Sequence, residues 1–403
     1  MASNAVPLPS KFSDLIAQEI ELSDVPPTTL AQWSDLASGM APGRGALFGS
    51  PQMATAFART FQDEASVSLL ELRDKRGELR GVLSLMRNRV KRGPRLSTRY
   101  TYLQSEAALL SQPDKAPLSL RQLSTPLSMA STTLRSVPVC AERDRNRVLP
   151  ALFAALPRLK GWQLGTLSLT QPDAEKGVAA IPGAWRVPLD RVLRYKSQVS
   201  DGETWLAGQS QKFRQNLRRG RRFTAERGLH LTCLSGRAVF DVLPMIADVQ
   251  ARSWKTSASE KGAEQSLIVP WAGPQQMMLD TLARQVGIDT HVFVIASEAN
   301  GQPDQIAGAL LSMVFGPELY LIVIFADAAM TRESLGHQLI MAGFDKAAEL
   351  GLSGVDLNSN AQWTSRYADT EIPYENVHFT RPGVTGAPLR FMAQAVTRLR
   401  PVA

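Results

Sequence analysis

The segment His291–Leu357 decides the fold, and its first part contains three apolar runs: His291-Val-Phe-Val-Ile-Ala296, Ile306-Ala-Gly-Ala-Leu-Leu-Ser-Met-Val-Phe315 and Leu319-Tyr-Leu-Ile-Val-Ile-Phe325. The turn-forming residues Asn300-Gly301-Gln302-Pro303 and Gly316-Pro317 separate the runs. Short apolar runs bounded by such turns are typical of buried strands. The sequence therefore predicts three consecutive strands.

A polar stretch, Thr331-Arg-Glu-Ser-Leu-Gly-His337, follows the third run and precedes a helical pattern that ends at Gly351. The next run, Gly354-Val-Asp-Leu357, predicts a fourth strand after this helix. Because the first turn of a helix has backbone N–H groups without intrahelical partners, an anion is favoured there. The polar stretch therefore predicts a place for the phosphates of a ligand.

This segment resembles the GNAT N-acetyltransferase fold, and more closely its double-domain relatives, the Fem-like and cellulose-biosynthesis-associated acyltransferases. The resemblance covers roughly residues 205–380 and includes an arginine-rich helix, a tryptophan-lysine element and a glycine-to-aspartate strand. These are Phe213-Arg-Gln-Asn-Leu-Arg-Arg-Gly-Arg-Arg222, Arg252-Ser-Trp-Lys255 and Gly351-Leu-Ser-Gly-Val-Asp356. The usual pyrophosphate signature of the family is stretched here to Arg332-x-x-x-Gly336-His337.

The first half of the chain repeats the hairpin of the second half. The runs Val67–Leu72 and Gly81–Met86 match it, and the second strand of each hairpin reads Gly-x-Leu-x-x-Met, from Gly81 and from Gly308. This repeat favours an internal duplication, although any two buried hairpins share some pattern. We expect an α+β protein with two tandem GNAT-like domains, residues 1–195 and 196–403, each a mixed twisted sheet flanked by helices. A linker is expected between Val187 and Ser200.

Composition supports two globular domains, because 403 residues exceed one ordinary core and 44% of them are hydrophobic. No apolar run is long enough to span a bilayer, and the N-terminus lacks the pattern of a secretory signal. We therefore expect a cytoplasmic protein, for which a peripheral position on the inner face of a membrane is also compatible. Cys140, Cys233 and the four histidines show no disulfide or metal-ligand spacing, so no metal is expected.

The arginine-rich helix carries most of the net charge of +8. Between Lys212 and Arg227 seven residues are basic and one, Glu226, is acidic. The sequence predicts that four arginines bind an anion: Arg218, Arg219, Arg221 and Arg222. The anion would be the CoA phosphates, an acyl-carrier protein, a lipid headgroup or a nucleic acid. The alternative is a solvated helix whose arginines pair with acids elsewhere.

The GNAT resemblance implies acyl-CoA as a cosubstrate and no permanently bound cofactor. It places the thioester beside the backbone of the third strand, around Leu321, Val323 and Phe325. Arg332, Ser334 and Gly336 are the predicted contacts of the CoA pyrophosphate, because a guanidinium and a hydroxyl near free N–H groups form an anion site.

Acyl transfer to an amine requires a base, because an amine with a pKa near roughly 10.4 is protonated at neutral pH. His337 is one candidate, as a base or a phosphate contact at the helix start, with a satisfied surface histidine as the alternative. Asp356 is the other candidate, because it lies near the carboxyl end of a strand. Its alternative role is to cap the following loop.

The predicted acceptor contacts are Trp254, Lys255, Asn358, Trp363 and Tyr367, although Trp254 also fits a core position. By resemblance, the protein is expected to transfer an acyl group from acyl-CoA to an amine, preferably a sphingoid-base-like lipid or a cell-envelope precursor, as in a bacterial ceramide-synthase-type N-acyltransferase. One alternative is a Fem-like transferase that uses aminoacyl-tRNA. Another is a nonenzymatic nucleic-acid-binding protein, which is less favoured because no reading helix or zinc motif is recognisable.

Overall fold

The structure is a computed structural model and describes residues 4–62, 66–92, 118–124, 136–162, 164–196, 200–253, 276–299, 301–359 and 362–381. The strands within these residues are β1 (Asn4–Val6), β2 (Leu15–Glu21), β3 (Ser66–Asp74), β4 (Leu79–Arg92), β5 (Leu118–Ser124), β6 (Val139–Cys140), β7 (Leu164–Thr170), β8 (Trp185–Lys196), β9 (His230–Ser235), β10 (Asp289–Ala299), β11 (Gln302–Phe315), β12 (Glu318–Ala326), β13 (Gly354–Asp356) and β14 (Thr370–Thr380).

The helices of the same residues are α1 (Pro27–Ser38), α2 (Ala46–Gly49), α3 (Pro51–Thr60), α4 (Arg145–Ala155), α5 (Gln171–Ala180), α6 (Gly202–Ala207), α7 (Gln211–Glu226), α8 (Arg237–Val242), α9 (Ile246–Arg252), α10 (Gln276–Ala283) and α11 (Leu335–Glu349). None of these helices is long and apolar enough to cross a membrane. The mixture of helices and sheets confirms the α+β prediction.

The chain forms two compact units. The first consists of Met1–Val192 and the chain from Ile372 onward, and the second consists of Leu193–Glu371. A strand, β8, occupies the region where a linker was predicted, and the division between the units, after Val192, lies within that region. The predicted division into residues 1–195 and 196–403 did not include the return of the chain from Ile372 onward into the first unit. This return occurs because β14 pairs antiparallel with β7.

In the first unit, the strands from β1 through β5 form an antiparallel series. β5 pairs in parallel with β7, and β6 adds to β4. The core of this unit contains Trp162 and apolar residues of α4, and it covers the face of β7 and β14 that carries Leu167, Leu169 and Val377.

In the second unit, β9, β10, β11 and β12 are antiparallel neighbours. β12 pairs in parallel with β13, and the end of β8 pairs antiparallel with β13. The long helix α11 packs on this sheet through apolar residues such as Leu339 and Phe344. α11 ends where Gly351 adopts a φ of 64°, because a left-handed residue terminates a helix and glycine takes that conformation most easily.

The two predicted hairpins share one structural detail. Leu72 pairs with Gly81 and Ile295 pairs with Gly308, and in each hairpin the register shifts directly after this pair. Gly81 also faces the helix α4 of the first unit, and Gly308 faces the helix α11 of the second unit. A Cβ atom on Gly81 would lie 2.3 Å from a methyl group of Val148, and one on Gly308 would lie 3.3 Å from a methyl group of Leu339. The repeat of bulge and glycine supports the predicted duplication.

Candidate active site

The parallel strands β12 and β13 separate early. They pair only at Glu318–Tyr320 against Gly354–Asp356, whereas β12 continues to Ala326 beside β11. At the separation, the side-chain amide of Asn358 donates to the carbonyl oxygen of Ile322 at 3.3 Å. A wedge between two parallel strands is a place where an extended ligand can lie along strand backbone.

A β-bulge lies beside this separation. Leu311 pairs with Val323, but the next residue, Ser312, pairs with Leu321, so Ile322 is an extra residue. Leu321 before the bulge and Ile324 after it pack against the same core cluster. Val323 and Phe325 therefore face away from Leu321, and the prediction that the thioester lies beside the backbone of this strand stays a prediction. Bulges re-aim side chains and backbone groups, and they are common beside active sites.

The start of α11 brings Arg332, Ser334 and Gly336 together. Ser334 precedes the helix in a left-handed conformation, with φ 54° and ψ 40°, and its side chain makes no capping hydrogen bond. The Arg332 side chain is exposed, and its guanidinium lies 4.4 Å from the centre of the Phe223 ring. An exposed cation is thus held beside the first turn of a helix, which is the arrangement expected of an anion site.

His337 lies in the first turn of α11, in an aromatic cage. Its Nδ1 is hydrogen-bonded to the hydroxyl of Tyr367, a fully buried residue whose ring stacks on Trp205 with 4.7 Å between centroids. The edges of Phe213 and Trp363 pack at centroid distances of 5.1 Å and 5.7 Å from the imidazole. The structure therefore joins three of the predicted site residues: His337, Trp363 and Tyr367.

The cage controls the protonation of this pair. Burial, together with the nearby Arg366 guanidinium, lowers the pKa of His337 to about 4. Burial also raises the pKa of the Tyr367 phenol. At neutral pH the imidazole is therefore uncharged and the phenol keeps its proton. Desolvation is the main cause of the lowered pKa of His337.

Asp356 lies in a different environment. Only 2% of the residue is exposed, and its Oδ1 accepts a hydrogen bond of 2.7 Å from the backbone N–H of Asn358. Burial raises the pKa of Asp356 to about 7, with Glu318 adding to the shift. The loop-capping alternative is thus observed. Within the described residues no contact joins Asp356 to His337, the other candidate base.

The four predicted anion-binding arginines divide into two pairs. Arg221 pairs with Glu203 at 2.6 Å and Arg222 pairs with Glu226 at 3.2 Å. Arg218 and Arg219 are exposed, and neither has an ion-pair partner in the described part of the chain. The solvated-helix alternative therefore applies to one pair, and Arg218 and Arg219 are the pair that can meet an external anion.

Other site residues differ in how far they could be predicted. Trp254 and Lys255 lie outside the described residues. The sequence argument missed Trp205 and Arg366, and it placed Phe213 only toward the protein interior. Nothing in the local pattern of Trp205 separates it from an ordinary core residue, since its role depends on the chain bringing α6 beside α11.

Comparisons with known proteins agree with this architecture. Residues 211–367 match a family profile described as "Acetyltransferase (GNAT) domain". No curated protein matches the sequence. Among solved structures, FemX matches with a TM-score of 0.54 and 11% identity over 90% of this chain and 98% of its own. A tandem GNAT protein from the clavulanic acid biosynthesis pathway has a TM-score of 0.48 and 12% identity, covering 92% and 99%. L-PGS from Bacillus licheniformis has a TM-score of 0.47 and 12% identity, covering 93% and 98%.

The family match concerns one domain of the chain. Residues 211–367 form a GNAT-type acetyltransferase domain, which is a domain of N-acyltransferases. The chain as a whole has an α+β architecture, as the sequence predicted. At 11% identity the likeness to FemX concerns the fold alone.

Proposed function

We propose that this protein transfers an acyl group from acyl-CoA to an amine. The observation that carries the proposal is the start of α11, where Arg332 and Ser334 stand beside the first turn of the helix. The CoA pyrophosphate would bind there, and the pantetheine arm would lie along β12 near Ile322, where β13 turns away. Both features belong to the matched acetyltransferase domain.

The reaction forms a C–N bond and breaks a C–S bond. The amine nitrogen attacks the thioester carbonyl, the amine loses a proton to a base, and the departing CoA thiolate gains a proton. Backbone N–H groups near the Ile322 bulge are suited to stabilise the oxyanion, since one well-aimed donor is worth about 2.7 to 4 kcal/mol. The His337 and Tyr367 pair offers a neutral imidazole and a protonated phenol in direct contact.

Of the two predicted bases, His337 has the better access. It is partly exposed, whereas Asp356 is buried and one of its oxygens is already bonded to the loop. Asp356 has the better-matched pKa, because a value of about 7 lets a carboxylate form at working pH. We assign proton acceptance to His337 and loop positioning to Asp356, and the pH dependence distinguishes the two assignments.

The proposed acceptor is a lipid or cell-envelope precursor with a free amine. Arg218 and Arg219 support this acceptor class, because two guanidinium groups that have no ion-pair partner among the described residues favour a surface of anionic headgroups. A sphingoid base would be one such acceptor. The second candidate is a Fem-like transfer from aminoacyl-tRNA, for which the same arginines would contact RNA. Mass spectrometry of ligands that copurify with the protein separates acyl-CoA from RNA.

The double substitution Arg332→Ala and Ser334→Ala is expected to weaken CoA binding at least about tenfold, because charge-assisted hydrogen bonds are worth about 1.5–3 kcal/mol each. In steady-state kinetics the apparent KM for the donor should rise more than kcat falls. Isothermal titration calorimetry with CoA measures the first effect. Unchanged CoA affinity in the double variant would show that the phosphates bind elsewhere.

Two double variants with the same charge change test the basic helix. Replacing Arg218 and Arg219 by glutamine is expected to weaken binding to phosphatidylglycerol vesicles by about 2 kcal/mol, since each interfacial arginine contributes about 1 kcal/mol. Replacing Arg221 and Arg222 should have a smaller effect, because Glu203 and Glu226 already neutralise them. Vesicle sedimentation at several salt concentrations gives both affinities. Equal losses in the two variants would mean that only net charge matters, and tighter binding to RNA than to vesicles would favour the Fem-like candidate.

A further inference from the structure

The basic helix α7 packs directly on the loop that precedes α11, and a glycine makes the contact. Gly220 is one of three buried residues on the inner face of α7, with Leu217 and Thr224. A Cβ atom at Gly220 would lie 2.5 Å from the carbonyl oxygen of Glu333 and 3.1 Å from Cβ of Ser334. The distance to the carbonyl oxygen is shorter than real Cβ contacts allow, so any side chain here must displace the loop.

Polar contacts hold the same loop against α7. Arg227 Nε lies 2.8 Å from Glu333 Oε1, and only 3% of the Glu333 side chain is exposed. The side-chain amide of Gln338 donates to Thr224 Oγ1 at 2.9 Å and to the carbonyl oxygen of Glu333 at 2.8 Å. The Thr224 hydroxyl in turn donates to the carbonyl oxygen of Gly220 at 3.0 Å. Both the residue before Ser334 and the first turn after it are therefore fixed to one helix.

The residue between these contacts has an unfavourable backbone conformation. Ser334 is one of two non-glycine residues with positive φ in the described chain. A side chain at positive φ is disfavoured and persists only where its surroundings impose it. The contacts of α7 with Glu333 and Gln338 are the surroundings that impose it here. They also set the direction of Arg332, whose guanidinium rests on Phe223 of the same helix.

From these contacts we infer that α7 holds the loop of the donor site in its binding conformation, and that Gly220 and Arg227 are positioning residues for acyl-CoA binding. Neither residue touches the ligand in this account. They hold Ser334 in its left-handed conformation, so that the first turn of α11 and Arg332 face one common point. This role is separate from the anion binding assigned to Arg218 and Arg219. The inference rests on the proposed function, because it assumes that CoA binds at this loop.

The test is a double-mutant cycle on CoA affinity, measured by calorimetry with the full-length protein. Arg227→Gln is expected to raise the Kd for CoA about fivefold, and Gly220→Ala about tenfold or more, because small displacements of binding groups are costly. In a Ser334→Gly background the effect of Arg227→Gln should fall to about twofold or less, because glycine adopts positive φ without help. Arg227→Lys should recover part of the affinity.

Arg284→Gln is the matched control. Arg284, like Arg227, pairs with a carboxylate, that of Asp280, but it is not part of the loop. Its CoA affinity should equal that of the wild type. If Gly220→Ala fails to fold, the Arg227 and Ser334 cycle still decides the question.

The outcomes separate this inference from the proposed function. Wild-type protein that does not bind CoA would overturn both. If the wild-type protein binds CoA, two results would overturn the positioning role alone. Arg227→Gln could weaken CoA binding equally in the wild-type and Ser334→Gly backgrounds, or it could have no effect in either. A Ser334→Gly background that suppresses the Arg227→Gln effect would support the positioning role.

Discussion

His337→Gln is expected to lower kcat by at least about a hundredfold while leaving CoA affinity within about twofold of the wild-type value. Glutamine can still form a hydrogen bond to Tyr367, but it cannot accept the proton that the attacking amine must lose. The measurement is the initial rate of thiol release from acyl-CoA in the presence of an amine that supports wild-type turnover. CoA titration by calorimetry accompanies it.

Two further variants define this effect. Tyr367→Phe keeps the ring stacked on Trp205 and removes only the hydroxyl that contacts His337, so a smaller loss in kcat is expected. His230→Gln changes an exposed histidine on β9 and should leave the rate unchanged. Full activity of His337→Gln would move the proton-accepting role to another group.

The pH profile then separates His337 from Asp356. Because the pKa of His337 is lowered to about 4, this base is already deprotonated across the neutral range and gives no limb there. Asp356 has a pKa of about 7, so a reaction that used it as the base would accelerate as the pH rises through about 7. Loss of such an ascending limb in Asp356→Asn would contradict the assignment of the base to His337.

The largest expected effect on stability comes from Asp173→Asn in the first unit. Asp173 forms an ion pair with Arg145, and the two side chains are 2% and 4% exposed. Asparagine leaves the arginine charge buried without a counter-charge, and breaking such a pair costs about 3–5 kcal/mol. Urea denaturation followed by tryptophan fluorescence reports the effect, since Trp162 lies in the core of this unit.

Asp280→Asn is the matched control for Asp173→Asn. Asp280 pairs with Arg284 on an exposed helix face, and the two side chains are 37% and 53% exposed. The loss should be below about 1 kcal/mol, because water solvates the charge that remains. Replacing Arg145 by Met and Asp173 by Leu together should recover much of the stability lost in Asp173→Asn. Equal losses in the two single variants would mean that the buried pair adds nothing beyond an exposed one.

The local sequence pattern was sufficient for most of the second unit. The runs at Val292, Leu310 and Leu321 became adjacent antiparallel strands because their apolar residues and the intervening turns carry the necessary information. The repeated Gly-x-Leu-x-x-Met motif also has a physical reason. Gly81 packs against α4 and Gly308 packs against α11, and each glycine lies beside a bulge.

Features that depend on pairing between distant segments could not be predicted in this way. The strand β8 was read as a linker, because its pairing with β13 brings together residues far apart in the sequence. The bulge at Ile322 is likewise invisible in the uniform apolar run Leu319–Phe325, yet it reverses the faces of the following residues.

Single residues of the candidate site could be predicted from the sequence, but the residues to which they are bonded could not. His337 and Tyr367 were both named from the sequence, but as a base and as an acceptor contact rather than as a bonded pair. The arginines of α7 were grouped by charge. The positions of Glu203 and Glu226 were needed to separate Arg221 and Arg222 from the two arginines that have no ion-pair partner in the described part of the chain.

Hydrogen–deuterium exchange of the full-length protein with and without CoA tests the central claim most directly. The account predicts that CoA slows exchange in peptides that cover Leu321–Ala326 and Arg332–His337, and that the Arg332→Ala and Ser334→Ala double variant loses this protection. Unchanged exchange in both segments, or protection confined to the first unit, would contradict the proposal that the second unit binds an acyl-CoA donor at the start of α11.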